Sequence, residues 1–227
     1  MKKILFVFIG LAAVLACAAF LSEIPRHRYT YIVVHHSASR NDNHASIRAF
    51  HAREHGWREA AYHLILSNGS AQVPLGHLEA TDRYGQMGYS PATKNALYNL
   101  RGLHLCVIGN YEEKPVPANL QGPLANALGS LMEAYDIPFE NVVLHKEASS
   151  TACPGKHLTR SDLRRWLDGN AAACPPAVAA QQQLVIREPL SARTFLKTPV
   201  VRALFSFAAA GIAACGLAAT RNAANRS

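Results

Sequence analysis

Hydrophobic and polar positions fall into short β-type runs interleaved with helical spacings. The segment "YIVVHHSAS" begins as a β-branched run, Tyr31 to Val34, then turns polar, which predicts a buried strand delivering His35 and His36 at its C-terminal end. Asn43 suits a helix N-cap, Ile47, Ala49 and Phe50 give the following helix its apolar face, and Gly56 marks its stop. "YHLILSNGSAQVPLG" predicts two strands around Asn68-Gly69, a type I′ hairpin signal. Residues 76–100 are polar with little periodicity, the character of a functional loop region. "LHLCVIGNY" reads as another buried strand. Leu120, Leu124, Leu128, Leu131 and Tyr135 then recur at helical spacing within 119–135. Val142 to Leu144 form a short strand ending in His145, and Leu163, Trp166 and Leu167 suggest a last short helix. Interleaved strands and helices predict one α/β domain over residues 28–168.

The flanks differ in kind. Met1-Lys2-Lys3 precedes an apolar run from Ile4 to Leu21, so residues 1–22 read as a signal peptide or membrane anchor. Ala16-Cys17-Ala18 resembles a cleavage site, Val14-Leu15-Ala16-Cys17 an imperfect lipobox, and the 18 apolar residues are just long enough to span a bilayer uncut. All three outcomes export the rest of the chain and agree with the positive-inside tendency. Residues 169–198 are rich in Ala, Pro and Gln and read as a linker. Residues 199–221 hold a second apolar run, Ala203 to Ala219, flanked by Arg202 and Arg221, a marginal transmembrane candidate. These features predict an exported protein at the outer face of the cytoplasmic membrane or in the periplasm, held to the membrane. The net charge of +8 suggests an acidic partner. With no basic block interleaved with aromatics, nucleic acid is the weakest choice against anionic lipid or an anionic polymer.

Five cysteines in an exported chain raise the question of a disulfide framework. Cys17 and Cys215 lie in the apolar ends, which leaves Cys106, Cys153 and Cys174, an odd number; a Cys106–Cys174 bridge carries no signature. Cys153 is the informative one. In "LHKEASSTACPG" it follows His145 by eight positions, and a second strand end presents His35. Two imidazoles and a thiolate are a ligand set for catalytic zinc, with the fourth position left for water. Zinc needs no redox partner and lowers the pKa of bound water toward ~7. Spacing alone leaves Cys153 open among buried thiol, disulfide half, nucleophile and metal ligand, because eleven histidines make chance pairs easy.

The order "VVHHSAS", "HGWREAAYHLILSNG", "LCVIGN", "LHKEASSTACPG" resembles the type 2 N-acetylmuramoyl-L-alanine amidases, a family that includes the peptidoglycan recognition proteins and a bacteriophage lysozyme-amidase. The likeness covers residues 30–168 and includes His and Cys-Pro at the family's eight-residue separation. It implies a mixed central sheet with flanking helices and a Zn2+ ion in a cleft at the strand ends. Position by position, it implies His35, His145 and Cys153 as zinc ligands. Tyr62 falls on the family's catalytic tyrosine, a donor to the oxyanion, and Thr151 on a catalytic-loop position beside the metal. The implied substrate is peptidoglycan or a muropeptide, cut at the amide joining N-acetylmuramic acid to L-alanine.

Neighbouring residues receive plainer expectations. His36 reads as a strand-end residue or a substrate contact, and His63 should point away from the cleft that Tyr62 faces. Trp57 reads as packing at the helix-to-strand corner ahead of a sugar platform, Glu147 as solvated or as supporting a ligand from behind, and Asn95, Tyr89 and Arg83 as candidates for the groove wall. Three positions depart from the family's pattern: Ala61 stands where glycine is common, "GQM" at 85–87 replaces "GxH", and His104 takes a glycine's place in "HLCVIG". A non-catalytic peptidoglycan-binding module is the alternative, although receptors of the family typically lack the cysteine ligand. A cysteine hydrolase, with Cys153 as nucleophile and His145 as base, is a third reading.

Overall fold

The computed structural model describes residues 29–86 and 88–187. The expected signal or anchor at 1–22, the second apolar run at 199–221 and Met87 lie outside the described residues. Among the described residues no helix is long and apolar enough to cross a membrane.

Five strands form one mixed sheet: β1 (Tyr31–His36), β2 (Leu64–Asn68), β3 (Leu75–Ala80), β4 (Gly102–Val107) and β5 (Val142–Leu144). Their spatial order is β3-β2-β4-β1-β5, with β2 and β3 antiparallel and the other pairs parallel. The helices are α1 (His44–His55), α2 (Asp82–Gly85), α3 (Ala96–Arg101), α4 (Ala118–Tyr135), α5 (His145–Ala148), α6 (Arg160–Leu167) and α7 (Pro176–Arg187). Sheet and flanking helices are those the resemblance implied.

Strand alternation divides the sheet into two unlike faces. Ile32 and Val34 of β1, Leu64 and Leu66 of β2, and Leu103, Leu105 and Val107 of β4 join Leu120, Leu124, Leu128 and Leu131 of α4 in the main core. The opposite face is smaller: Ile65, Cys106 and Ile108 pack with Ala60 and Ile47 of α1. The leucine spacing read along 119–135 is therefore the buried stripe of α4.

Local differences from expectation have identifiable causes. Helix α1 has the Asn43 cap, whose side chain accepts from the Ser46 N–H, and ends at Gly56 in the left-handed region. Its inner face is Ile47 and His51, however, and Phe50 stays 49% exposed. The β2–β3 hairpin is not a two-residue type I′ turn. Asn68 pairs with Leu75 inside the ladder, and six residues make the connection, with Ala71 and Gln72 at positive φ. Its polar atoms bond locally: Ser67 Oγ donates to the Val73 carbonyl, and the Ser70 N–H donates to Asn68 Oδ1. Cys106 and Cys174 are both free thiols, so no bridge joins them.

The segment expected as a linker, 169–198, is helical over Pro176–Arg187 and docked on the domain. Its glutamines explain why. Gln181 bonds both backbone groups of Leu78, accepting from the N–H at 3.0 Å and donating to the carbonyl at 2.8 Å, as a neighbouring strand would. Buried Gln182 donates to the carbonyls of Gly76 and Pro123 and accepts from Asn126. Tyr84 donates its hydroxyl hydrogen to the Ile186 carbonyl. Helix α7 thus covers the β3 edge, which would otherwise present unpaired backbone groups.

Candidate active site

The parallel strands β1 and β5 end side by side, and their last residues build the centre. His35 stands at the end of β1 and is fully buried. His145 opens α5 directly after β5, its ring centroid 4.4 Å from that of His35. The loop after α5 returns Cys153 to the same place, with Sγ 3.9 Å from His35 Nδ1. One ligand atom from each of His35, His145 and Cys153 lies within 4.8 Å of the others. Ligands of a tetrahedral zinc stand roughly 3.5 Å apart, given bond lengths of about 2.0–2.3 Å, so this donor set fits the ion with small adjustment.

The backbone around Cys153 holds the sulfur in place. The His36 N–H points at Sγ at 3.4 Å, and the Cys153 N–H donates to Thr151 Oγ1 at 3.3 Å. Lys146 Nζ donates to the Gly155 carbonyl. Gly155 has φ +99°, and a β-carbon there would stand 2.3 Å from the Glu112 nitrogen, so glycine lets the loop lie against the Tyr111–Glu112 backbone.

Both imidazoles are held neutral, as metal ligands must be. Burial, then the neighbouring His104 and His145, holds His35 well below its ordinary value. Burial and His36 bring His145 down to about 4. Burial pushes the Cys153 thiol up to about 12 against the opposing pull of the His36 N–H and Lys146. A cation at this point would displace that proton, and binding would release it.

Tyr62 stands over the centre, its ring centroid 5.0 Å from that of His35. Its backbone is pinned on both sides. The Ala61 N–H donates to His51 Nδ1 at 3.1 Å, Ser90 Oγ donates to the Ala61 carbonyl at 2.7 Å, and Thr81 Oγ1 donates to the Tyr62 carbonyl at 2.8 Å. Arg83 Nε adds a bond to the Ala60 carbonyl at 2.6 Å. Burial, with Cys106 and Cys153 nearby, raises the Tyr62 phenol well above its ordinary value, so it remains a hydrogen-bond donor. His51 is itself pushed down to about 4, first by burial and then by His55 and Arg83, which keeps its Nδ1 an acceptor.

Tyr62, His145 and Thr151 line an open groove of about 350 Å³. His51, His55 and Trp57, the stretch from Pro91 to Lys94, and Ser149 and Ser150 also line it. Trp57, expected as packing, faces this groove with its ring stacked on His55 at 4.3 Å. Asn95, Tyr89 and Arg83 do not line it. Asn95 caps α3, and Arg83 braces the Tyr62 segment, also bonding the Tyr89 carbonyl. His36 is occupied structurally, its Nδ1 accepting from the Tyr111 N–H. His63 is buried away from the groove, as expected, with Nε2 on the Gly88 carbonyl. Glu147 turns back to accept from the Leu144 N–H.

Among the histidines around the site, His51, His55 and His104 received no role from the sequence. His104 Nδ1 lies 2.9 Å from His35 Nε2. The signal was present in the strand pattern. In parallel strands with Val33 opposite His104 and His35 opposite Cys106, alternate residues of both strands share one face.

Comparison with known proteins bears on the family and the fold. A family model described as N-acetylmuramoyl-L-alanine amidase matches residues 25–156. Among solved structures, the fold is similar to the N-acetylmuramoyl-L-alanine amidase LysC from Clostridium intestinale, at 21% identity and TM-score 0.50 over 63% of this chain and 87% of that one. The endolysine amidase LysCS from the same organism has the same identity and TM-score, over 63% of this chain and 86% of that one. Bumblebee PGRP-SA is 19% identical, with TM-score 0.49 over 63% and 83% of the two chains. No curated protein matches the chain.

Proposed function

The chain belongs to the N-acetylmuramoyl-L-alanine amidase family, and on that premise we propose that it is a zinc-dependent hydrolase of the amide between N-acetylmuramic acid and L-alanine in peptidoglycan or muropeptides. The observation that carries this reading is the convergence of the His35, His145 and Cys153 donor atoms beside Tyr62, at the wall of an open groove. In this reading His35, His145 and Cys153 hold the ion. When bound, zinc would supply Lewis-acid polarisation of the scissile carbonyl and an activated water.

The chain's own residues supply the rest. Tyr62, kept protonated, donates to the carbonyl oxygen as negative charge develops there. Its pinned backbone pre-sets that donor, so little reorganisation is needed during reaction. Thr151 stands on the exposed rim beside Cys153, where its hydroxyl orients substrate or passes a proton. The groove beyond, walled by Trp57 and Lys94, receives the glycan and peptide arms. The enzyme works outside the cytoplasmic membrane and is held there by residues 1–22, with residues 199–221 as a second attachment.

Two features weigh against other chemistry. Burial raises the Cys153 thiol, which suits a ligand whose proton a cation displaces better than a nucleophile that must ionise unaided. A complete two-histidine, one-cysteine donor set favours catalysis over a module for binding alone.

Mass spectrometry of muropeptides incubated with the full chain tests the proposal. Free stem peptide and intact sugar should appear, disappear with a chelator and return on adding zinc. Binding without cleavage would leave the non-catalytic module, and cleavage that survives chelation but not alkylation would establish the thiol enzyme. Fractionation with and without residues 199–227 tests the attachment: soluble full-length protein outside the membrane would contradict it.

A further inference from the structure

The face of the sheet carrying the centre holds a line of buried hydrogen bonds that ends on the backbone. His35 Nε2 lies 2.9 Å from His104 Nδ1, with the ring centroids 5.1 Å apart and 26° between their planes. His104 Nε2 lies 3.0 Å from the Tyr98 carbonyl oxygen. His104 is fixed from behind as well: its N–H donates to His63 Nδ1, and its carbonyl accepts from the His63 N–H, both at 3.0 Å. His35, His63 and His104 are all fully buried.

The proton positions follow from this order. A carbonyl only accepts, so His104 Nε2 carries a hydrogen. An imidazolium with no exposed surface and no carboxylate partner would be costly, so the ring is neutral and its Nδ1 is bare. A bare Nδ1 only accepts, so His35 Nε2 carries the next hydrogen. His35, neutral for the same reason, is left with its Nδ1 lone pair aimed toward Cys153 Sγ.

We infer that His104 is a positioning residue for the centre: it fixes His35 in the one tautomer whose Nδ1 can bind a metal. This rests on the zinc reading above. The role is one that carboxylates and backbone carbonyls commonly take behind a ligating histidine. Here a second histidine spans the gap between the ligand and a carbonyl of α3. Gly102 makes the last bond possible. Its φ is ordinary, but a β-carbon there would stand 2.3 Å from the Tyr98 oxygen and 3.0 Å from His104 Nε2. Glycine at 102 and histidine at 104 thus form one device.

The test reads the proton directly. In the metal-free full chain labelled with 15N-histidine, two-bond proton–nitrogen correlation spectra should show His35 as a single tautomer with Nε2 protonated; a His35→Gln variant assigns the signal. His104→Leu should lose that uniformity and weaken zinc binding roughly 10–100-fold in competition with a chromophoric chelator. His104→Asn, whose Oδ1 can accept in place of Nδ1, should recover most of the affinity. Gly102→Ala should weaken it with every ring intact. His35 protonated on Nδ1 in the wild-type spectrum, or His104→Leu binding zinc as tightly as wild type, would overturn the inference. If the wild type binds no zinc at all, the metal reading fails, and the tautomer spectrum still decides the role of His104.

Discussion

The two faces of the sheet are made from the same strands and do opposite work. On one, Ile32, Val34, Leu103, Leu105 and Val107 meet the leucines of α4 in a dry core. On the other, the alternate residues are Val33, His35, His104 and Cys106, and few aliphatic residues remain to pack. The first face gains stability from area removed from water. The second gains little that way, so its polar groups satisfy one another in a fixed order: Tyr98 carbonyl, His104, His35, and then the point where the three donor atoms meet. Period-two alternation lets six-residue strands serve both purposes. Changes on the dry face should therefore cost stability and spare chemistry, and changes on the other face the reverse.

The largest effect expected is on the dry face. Leu105→Ala removes a fully buried side chain from the middle of β4 and should cost about 2–5 kcal/mol in denaturant unfolding. The folded fraction should keep its zinc content, and a loss of metal at unchanged stability would break the division between faces. On the site face, Tyr62→Phe removes one hydroxyl and should lower turnover on the order of 10²-fold with metal content and melting temperature unchanged. Equal turnover would take Tyr62 out of the mechanism. Smaller again, Gln182→Leu strips the side-chain bonds that tie α7 to β3 and α4. It should cost about 1–3 kcal/mol, measured as a lower denaturant midpoint. No change would mean that α7 is not part of the cooperative unit.

The smallest effect is a pH dependence at the start of α1. His44 Nε2 lies 2.8 Å from Glu59 Oε1, and its Nδ1 lies 3.0 Å from Glu79 Oε1. Burial alone would lower His44, but hydrogen bonds to the two carboxylates outweigh it and raise it above its ordinary 6.5. Its contribution is therefore full below 6.5 and is lost as pH rises through the raised folded value. Burial would raise Glu59, but the His44 and Ala60 hydrogen bonds win and lower it from 4.5. Its contribution is present above 4.5 and lost as pH falls through the lower folded value. The cluster is strongest between these limits, so His44→Ala should destabilise by about 1 kcal/mol more at pH 5.5 than at pH 8.5. An equal effect at both would show that His44 is uncharged in the fold.

Much of this division was legible in the sequence. The β-branched run ending in His35, the leucine spacing of α4 and the short run before His145 located the elements and the strand ends that carry the candidate ligands. Long-range relations were less legible. The Gln-rich segment looked like a linker because polar side chains usually mean solvent, whereas Gln181 and Gln182 face backbone carbonyls across 103 and 106 residues. Asn68-Gly69 looked like a tight turn, but the ladder runs through Asn68 and the bend lies beyond it. Trp57 looked like a corner filler, yet the ring that covers it is His55, and both face the groove. His104 stood out only as a departure from glycine. Its meaning appears once the parallel register of β1 and β4 sets it beside His35.

Whether His35, His145 and Cys153 together hold one zinc ion is decided by metal analysis of the purified full chain beside its Cys153→Ser variant. The oxygen that replaces the sulfur is a poor ligand for this ion, while the fold, confirmed by circular dichroism, should be unchanged. The expected result is about one zinc per wild-type chain and loss of most of it in the variant. Full zinc occupancy in Cys153→Ser, or a wild-type chain that takes up none, would contradict it.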